Sequence, residues 1–349
     1  MQKINNIQAL RGIAVVAVLL FHLFIVEQKY GGTQTLLSEI LEFGNFGVDL
    51  FFVISGFVMV TVTRGKFGSA KQAGLFLYHR TSRIYPLYWV YTLMALAVFL
   101  IRPEWINSSQ GSQADILASF LLLPSDLLPL VQVGWTLIHE MYFYLVFFLI
   151  MLILPERFFA YAITAWGVIV TAFYWLALSN NPAYRLVFHP LTIEFLAGCL
   201  LALLVQRRDH LPLRGWSLVA LASLALIAVI AGHARFHTVT GAIPYDWWRV
   251  LIYGVPAFII VTCMIYAERD GVVFPPALVQ TGNASYSIYL SHLFTVNVVG
   301  RLWALVAVEG IFDNLIGVTA AFVLAIAVGF VSYWLVETPL LKLSRKLIR

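Results

Sequence analysis

Long runs of apolar residues separated by short polar segments dominate this chain, a pattern typical of a protein that crosses a membrane many times. A transmembrane helix needs about 20 consecutive apolar residues, and ten stretches of the sequence come close to that length. The sequence therefore predicts an all-α polytopic membrane protein with a single integral-membrane domain over residues 1–349. The ten predicted spans are 7–26, 46–63, 84–101, 132–154, 159–178, 187–205, 215–232, 247–266, 283–300 and 313–335.

Composition supports the membrane assignment and excludes other classes. Of the 349 residues, 61% are hydrophobic and 11% are charged, whereas soluble domains contain about 25% charged residues. The net charge of +5 is spread over short loops rather than gathered in one patch, so lipids and not nucleic acid are the expected surroundings. Cys199 and Cys263 lie in apolar runs without metal-ligand spacing, so no metal site is expected.

Lysine and arginine residues in the short loops predict the orientation of the chain. With the N-terminus in the cytoplasm, 15 of the 22 Lys and Arg residues fall in inner segments and six in outer segments, as the positive-inside rule requires. Lys3 and Arg349 belong to the inner group, so both termini are expected in the cytoplasm. The stretch DILASFLLL (115–123) is too short to cross the membrane and is expected to lie along the outer interface or to form a cap.

The first predicted span, NIQALRGIAVVAVLLFHLF, contains Arg11 and His22. They are eleven residues apart, which on an α-helix places both on one face, about 16 Å apart along the axis. An ionisable residue inside a membrane usually faces a protein interior or a water-filled cavity, so the pair indicates a site within the membrane. The alternative is that Arg11 extends to the lipid headgroups and that His22 is an interfacial polar residue.

Two further stretches place charge at the ends of spans. Asp49, in GNFGVDLFFVISGFVM, could cap its helix or hold His22 in one tautomer through a ring nitrogen. Arg80 and Arg83, in YHRTSRIYPLYW, are about one turn apart at the cytoplasmic mouth of the third span. Two guanidinium groups on one face suit a phosphate or a diphosphate, although the positive-inside rule alone would also place arginines there.

Polar residues inside later spans indicate an interior cavity. The fourth span, GWTLIHEMYFYLVFF, contains Trp135, His139 and Glu140. A carboxylate there is poorly explained as lipid-facing surface; it could relay protons, pair with a cation or accept hydrogen bonds from a polyol. The stretch TGNASYSIYLSHLFTVN contains Tyr286 and His292, and a helix this polar is expected to line the same interior because it cannot face lipid all round.

Two single residues leave alternatives open. Glu337, in YWLVETPLLKLSR at the end of the last span, either ends its helix or pairs with Arg80 or Arg83. Ser55, in the second span, is a candidate nucleophile, although a hydroxyl in a membrane helix more often bonds the backbone.

The order of these motifs along the chain resembles the acyltransferase family 3 membrane proteins, which are bacterial sugar and polysaccharide O-acyltransferases. The resemblance covers the whole chain, and the size resembles the stand-alone branch without a fused esterase-like domain. It implies transfer of an acyl group, usually acetyl from acetyl-CoA, to a hydroxyl of an exopolysaccharide or lipopolysaccharide sugar at the bacterial inner membrane. The motifs are ALRGIAVVAVLLFH, GVDLFFVISGF, HRTSRIYPLYW, WTLIHEMYFY, IEFLAGCLLA, SYSIYLSHL and VETP.

The resemblance also implies roles for individual residues. Arg11 and His22 match the essential pair of the first helix. Arg80 and Arg83 match the arginine pair of the cytoplasmic acyl-CoA side. Glu337 matches the acidic position before the last proline. A base is needed for the acceptor hydroxyl, and a histidine suits that task near neutral pH. The candidate residues are His22, Arg11, Glu140 and Asp49 for catalysis, Arg80, Arg83 and Glu337 for the acyl-CoA, and Trp135, His139, Tyr286 and His292 for a lipid-linked or polymeric sugar acceptor.

A transporter or flippase of a polysaccharide precursor is the main alternative function, because intramembrane charges and a polar helix fit it equally well. The lack of a recognisable internal repeat and the cytoplasmic arginine pair count against it. Two weaker alternatives are an acyl relay that passes its acyl group to a separate enzyme and a structural scaffold. A scaffold would leave Arg11, His22 and Glu140 in lipid without compensation.

Overall fold

The structure is a computed structural model that describes residues 4–32, 34–308 and 310–347, and these ranges contain helices and no strand. Lys3 and Arg349, used above to predict orientation, lie outside the described residues. Short 3₁₀-helices cover Glu39–Phe46, Pro103–Trp105, Ser108–Gln110 and Glu156–Phe158, and π-helical turns cover Val250–Gly254 and Tyr333–Glu337. The α-helices are α1 (Asn5–Tyr30), α2 (Gly47–Thr63), α3 (Ala70–Ile101), α4 (Ile116–Leu121), α5 (Gly134–Ile153), α6 (Phe159–Leu176), α7 (Pro182–Val187), α8 (Leu191–Arg207), α9 (Trp216–Thr240), α10 (Asp246–Arg249), α11 (Val255–Arg269), α12 (Pro276–Asn283), α13 (Ser285–Ala304), α14 (Ile311–Ser332) and α15 (Thr338–Lys346).

Nine helical segments within the described ranges are long and apolar enough to cross a membrane, which confirms the all-α polytopic fold. The predicted span 283–300 falls on α13, which has 20 residues but is too polar to be counted among the nine. Four of its polar side chains, Ser285, Ser287, Ser291 and His292, are buried, and the helix packs against α1 and α14. Thus α13 directs part of its polar surface into the protein, which agrees with a helix too polar to face lipid on all sides.

Helix α3 is longer than the predicted span 84–101, because its first turns are polar. It begins at Ala70, after Ser69, and continues to Ile101. Pro86 lies inside this helix rather than in its first turn. A proline inside a helix removes one backbone hydrogen bond, which neighbouring groups can compensate in membrane helices. The arginine pair of the third motif and the membrane span therefore belong to one helix.

The short apolar stretch 115–123 forms α4, which lies against α3. Asp115 caps its N-terminus by accepting a hydrogen bond from a backbone N–H at 2.9 Å. From α3, the side chains of Tyr85, Tyr88 and Trp89 donate to carbonyls of α4 at 2.7–2.9 Å. These aromatic residues of the third motif therefore hold α4 against α3, and its place along the outer interface or as a cap stays a prediction.

The chain divides into two compact units. The first contains the chain up to Ile54 together with Leu204–Leu335, and the second contains Ser55–Leu203 together with the chain from Val336 onward. In the first unit α1 packs against α11, α12, α13 and α14, and in the second unit α3 packs against α5 and α15. The single integral-membrane domain over residues 1–349 stays a prediction.

Helix α1 is held at its N-terminal half by close backbone contacts. Glu268 of α11 accepts hydrogen bonds from the first two N–H groups of α1, at 2.9 and 2.6 Å, where unpaired helix donors need partners. A Cβ on Gly282 of α12 would meet the backbone carbonyl of Gln8, and a Cβ on Gly12 would lie 2.6 Å from the carbonyl oxygen of Leu278. The helix that contains the predicted Arg–His pair is therefore closely fixed against α12.

Candidate active site

His22 lies against His292 in the first unit. His292 Nε2 is 3.2 Å from His22 Nδ1, and the two rings meet edge to face with centroids 4.8 Å apart. His292 is completely buried, whereas His22 keeps part of its surface exposed. The sequence assigned His292 to the sugar acceptor, and the structure makes it the direct neighbour of His22.

Backbone carbonyls determine where the protons of this imidazole pair lie. His292 Nδ1 donates to the carbonyl of Tyr289 at 2.7 Å, and His22 Nδ1 donates to the carbonyl of Val18 at 2.9 Å. Because a carbonyl only accepts hydrogen bonds, both Nδ1 atoms must bear the hydrogen in the neutral rings. His292 Nε2 is then an acceptor for the N–H of His22, and His22 Nε2 keeps its lone pair. This is the tautomer that a general base requires.

Arg11 lies on the same uninterrupted helix as His22. Their separation of eleven residues corresponds to about 16 Å along the helix axis. Arg11 is partly buried, beside Gly12 at the close contact with α12. At this separation, the Arg11 guanidinium and the His22 imidazole cannot both contact the same reacting atom of a substrate.

Asp49 is completely buried and forms a bidentate ion pair with Arg249. Arg249 Nε donates to Asp49 Oδ1 at 3.0 Å, and a terminal nitrogen donates to Oδ2 at 2.7 Å. Charge-assisted pairs of this geometry are strong and directional, and removing one partner of a buried pair leaves the other charge uncompensated. The sequence suggested a helix cap or a bond to His22 for this carboxylate; the arginine lies 200 residues away in the chain.

Glu140 accepts two hydrogen bonds within the second unit. Ser55 Oγ donates to Glu140 Oε1 at 3.2 Å, and the hydroxyl of Tyr144, one turn further along α5, donates to the same oxygen. The guanidinium carbon of Arg80 lies 5.9 Å from the centroid of the Tyr144 ring, within the range of a cation–π interaction. These contacts connect the intramembrane carboxylate to the arginine pair, and they give Ser55 a carboxylate partner.

Arg80 and Arg83 line a cavity of about 370 Å³ in the second unit. Arg83 forms a salt bridge of 2.9 Å with Glu337, which is buried, so one of the two pairings suggested by the sequence is present. The Nε atom of Arg80 is buried and has no hydrogen-bond partner among the described residues. Other polar residues that line the cavity are Thr63, Lys66, Gln72, His79, Ser82, Ser344 and Arg345.

Three rings form a group at the N-terminal end of α5. The Trp135 and His139 rings are perpendicular, with centroids 5.9 Å apart, and His189 follows at 4.8 Å from His139. The backbone N–H of Leu191 donates to His189 Nδ1 at 3.2 Å, which orients that ring. Tyr286, the remaining acceptor candidate, lies partly exposed on α13 in the first unit.

The sequence had little signal for several residues that the structure places at these sites. Lys66, Arg249 and Arg345 entered the sequence analysis only as loop or terminal charges. Tyr144 had a usable signal, because it follows Glu140 by four residues and so lies on the same face of a helix. Within the described ranges, no group of three or more His, Cys, Asp or Glu side chains is arranged to hold a metal ion.

Comparison with known sequences defines the class of this helical membrane protein. Residues 4–334 match a protein family described as an acyltransferase domain. The chain therefore belongs to acyltransferase family 3, and the protein is a multi-pass membrane acyltransferase.

Two relatives cover most of the chain. One is the exopolysaccharide production protein ExoZ of Rhizobium meliloti (strain 1021), at 29% identity over 86% of this chain and 91% of the relative. The other is the acyltransferase MdmB of Streptomyces mycarofaciens, at 26% identity over 86% of this chain and 81% of the relative. No solved structure shows a significant match. The relatives agree with the family assignment and favour an acyltransferase over a transporter.

Proposed function

We propose that this protein transfers an acyl group, usually acetyl in its family, from cytoplasmic acyl-CoA to a hydroxyl of an exopolysaccharide or lipopolysaccharide sugar at the bacterial inner membrane. The observation that supports it most is the imidazole pair, in which His22 Nδ1 lies between a carbonyl and His292 Nε2. That arrangement leaves His22 Nε2 as a base within a helical membrane unit. Similarity to a protein named for exopolysaccharide production supports a polysaccharide acceptor.

His22 acts as the general base in this proposal. Its Nε2 accepts the proton of the sugar hydroxyl while the hydroxyl oxygen attacks the thioester carbonyl carbon. The carbon–sulfur bond then breaks, and the His22 imidazolium returns the proton to the departing CoA thiolate. The products are a sugar ester and free CoA, and His22 is again neutral. His292 keeps the ring in one tautomer and one orientation throughout.

The donor side of the proposal rests on the basic cavity. Its volume of about 370 Å³ lies within the range of about 300–1,000 Å³ that is usual for small-molecule sites. The buried Nε of Arg80 lacks a partner among the described residues, and a phosphate oxygen would supply one. We assign Arg80 and Arg83 to the phosphates of acyl-CoA, with Glu337 orienting Arg83. The acyl-CoA itself supplies the activated acyl group.

The remaining candidates receive supporting roles. Glu140 accepts hydrogen bonds from Ser55 and Tyr144 and so fixes the Tyr144 ring that lies beside Arg80. Asp49 is a structural partner of Arg249. Arg11 holds the donor or shapes the cavity. The candidates for the acceptor sugar, lipid-linked or polymeric, remain Trp135 and His139 in the second unit and Tyr286 in the first.

Proton NMR of the host's surface polysaccharide tests this function. The gene is left intact, deleted, or restored as wild type, His22→Ala or His210→Ala. We expect ester signals to disappear on deletion and to return with wild type and His210→Ala but not with His22→Ala. His210 is the matched control, because it belongs to the same unit and its side chain is 50% exposed.

The outcomes separate the parts of the proposal. Unchanged esters with an altered amount of polymer would contradict the acylation function. Esters restored by His22→Ala would remove His22 as the base. The chemical shifts identify the acyl group and the hydroxyl that receives it.

A further inference from the structure

The cavity that contains the arginine pair has more positive charge than the pair itself supplies. Lys66 and Arg345 also line it, and both side chains are exposed. None of the described residues that line the cavity is acidic. The charge of Arg83 is offset by Glu337 at 2.9 Å, which leaves three cationic side chains to balance the charge of a ligand.

The additional cations come from different walls of the cavity. Lys66 follows α2, and its Nζ donates to the carbonyl of Val62 at 2.7 Å. Arg345 belongs to α15, which is tied to α3 because the Tyr78 hydroxyl donates to the carbonyl of Ser344 at 2.8 Å. The arginine pair lies on α3 itself. The cavity therefore presents cationic side chains from three parts of the chain: Lys66 after α2, the arginine pair on α3 and Arg345 on α15.

Cationic side chains outside the arginine pair match a ligand that has a second phosphate. Coenzyme A has a diphosphate on the 5′ carbon of its ribose and a monophosphate on the 3′ carbon. Arginine and lysine both bind phosphate, arginine through a planar fork and lysine as a point charge. The apolar side chains of Leu75, Phe76 and Leu341 also line the cavity, and they offer a surface for the adenine ring.

We propose that Lys66 and Arg345 form a second anion subsite that binds the 3′-phosphate of acyl-CoA, while Arg80 and Arg83 bind its diphosphate. This inference rests on the proposed function, since it requires acyl-CoA as the donor. Its consequence is selectivity: the protein distinguishes acyl-CoA from 3′-dephospho-acyl-CoA, which keeps the diphosphate, the pantetheine arm and the thioester.

Direct binding to the purified full-length protein tests the subsite. Isothermal titration calorimetry is carried out in nanodiscs of zwitterionic lipid, so that anionic headgroups do not compete for the cations, and at low ionic strength, because salt screens exposed charges. The two ligands are acetyl-CoA and 3′-dephospho-acetyl-CoA. We expect wild type to bind acetyl-CoA at least about tenfold more tightly, the size of one charge-assisted hydrogen bond.

The variants locate the preference. Lys66→Ala combined with Arg345→Ala should weaken acetyl-CoA binding and leave the dephospho ligand nearly unchanged, so that the affinity ratio approaches one. Arg80→Ala should weaken both ligands. Arg64→Ala combined with Lys71→Ala is the matched control, because it removes the same charge from exposed residues that do not line the cavity, and it should preserve the ratio.

Each contrary result has one meaning. Equal affinities in wild type would reject the 3′-phosphate subsite and leave acyl-CoA as the donor. A ratio that survives in the Lys66 and Arg345 double variant would also reject it. A ratio lost equally in the control would assign the preference to general surface charge and reject the subsite. Failure of wild type to bind either ligand would overturn the acyl-CoA donor itself.

Discussion

At the residue scale, the proposed chemistry depends on a pair of imidazoles. A lone histidine in a helix can exchange tautomers, whereas His22 has its Nδ1 held between the carbonyl of Val18 and His292 Nε2. His292 in turn donates to a backbone carbonyl on its own helix. The pair therefore has one defined nitrogen, His22 Nε2, with a free lone pair, and in the proposed mechanism His292 is a positioning residue.

Replacing His292 by leucine removes one of the two acceptors of the His22 N–H, leaves only the carbonyl of Val18, and puts an apolar side chain of similar size in its place. We expect kcat to fall about tenfold or more with little change in the KM for the donor, because a buried hydrogen bond is worth about 1–3 kcal/mol and 1.4 kcal/mol is a factor of ten in rate. His292→Gln, which retains an acceptor oxygen, should keep more activity. Steady-state kinetics across pH measure both variants.

Ser291→Ala is the control for this series. Ser291 is a completely buried neighbour on α13 whose hydroxyl donates back to the carbonyl of Ile288 at 3.4 Å, so its loss should leave kcat and the pH profile unchanged. A His292→Leu protein with wild-type kcat and an unchanged pH profile would show that His292 does not position His22.

At the scale of elements, helix contacts bring the site residues together within each unit. In the first unit, α1 packs against α13 and α12, and this packing places His22 beside His292. In the second unit, the hydrogen bond from Tyr78 joins α15 to α3, and the Arg83–Glu337 salt bridge joins α3 to the residue just before α15. Two units of moderate size thus each contain part of the candidate machinery.

The contact between α1 and α12 is the most sensitive to added volume. A Cβ on Gly282 would meet the backbone carbonyl of Gln8, which can move only if α1 moves. We expect Gly282→Ala to lower the free energy of unfolding by about 1–3 kcal/mol, the usual cost of overpacking. The measurement is the apparent Tm of the purified protein in detergent.

Gly74→Ala provides the comparison for Gly282→Ala. Gly74 lies in α3, and a Cβ there would have no heavy atom within 4 Å. Alanine favours helix over glycine by about 1 kcal/mol, so this variant should have an unchanged or higher Tm. Equal Tm values for the two variants would refute the close contact.

At the scale of the whole molecule, the orientation of the chain depends on α13. Nine segments in the described ranges are long and apolar enough to span a membrane, and α13, with 20 residues, is not one of them. If α13 also crosses, the number of crossings is even and both termini lie on one side. If it does not, the termini lie on opposite sides, and the positive-inside prediction fails at one end.

Reporter fusions decide between these topologies. We expect GFP fused to either terminus to fluoresce, because it folds in the cytoplasm, and alkaline phosphatase at the same positions to remain inactive. Controls with a known periplasmic terminus show that the reporters respond. Active phosphatase at the C-terminus would place α15 outside, and the basic cavity would then be unable to take acyl-CoA from the cytoplasm.

Several features of the site could be predicted because they are local. Arg11 and His22 lie on one helix, Arg80 and Arg83 lie one turn apart, and α13 directs polar side chains into the protein. Periodicity and the cost of placing charge in lipid are enough for such inferences. The start of α3 was predicted 14 residues too late, because hydropathy marks the membrane part of a helix and not its polar extension.

The sequence by itself determined the class of this protein, its helices, and the helical spacing of its charged residues, since each depends on the identity of residues within one or two turns. Only the tertiary structure decided which of these residues meet. His22 meets His292 across 270 residues, Asp49 meets Arg249 across 200, and Ser55 meets Glu140 across 85. The reason is physical: hydropathy drives a helix into the membrane without selecting its neighbours, and close packing of particular helix faces then selects the partner of each buried polar group.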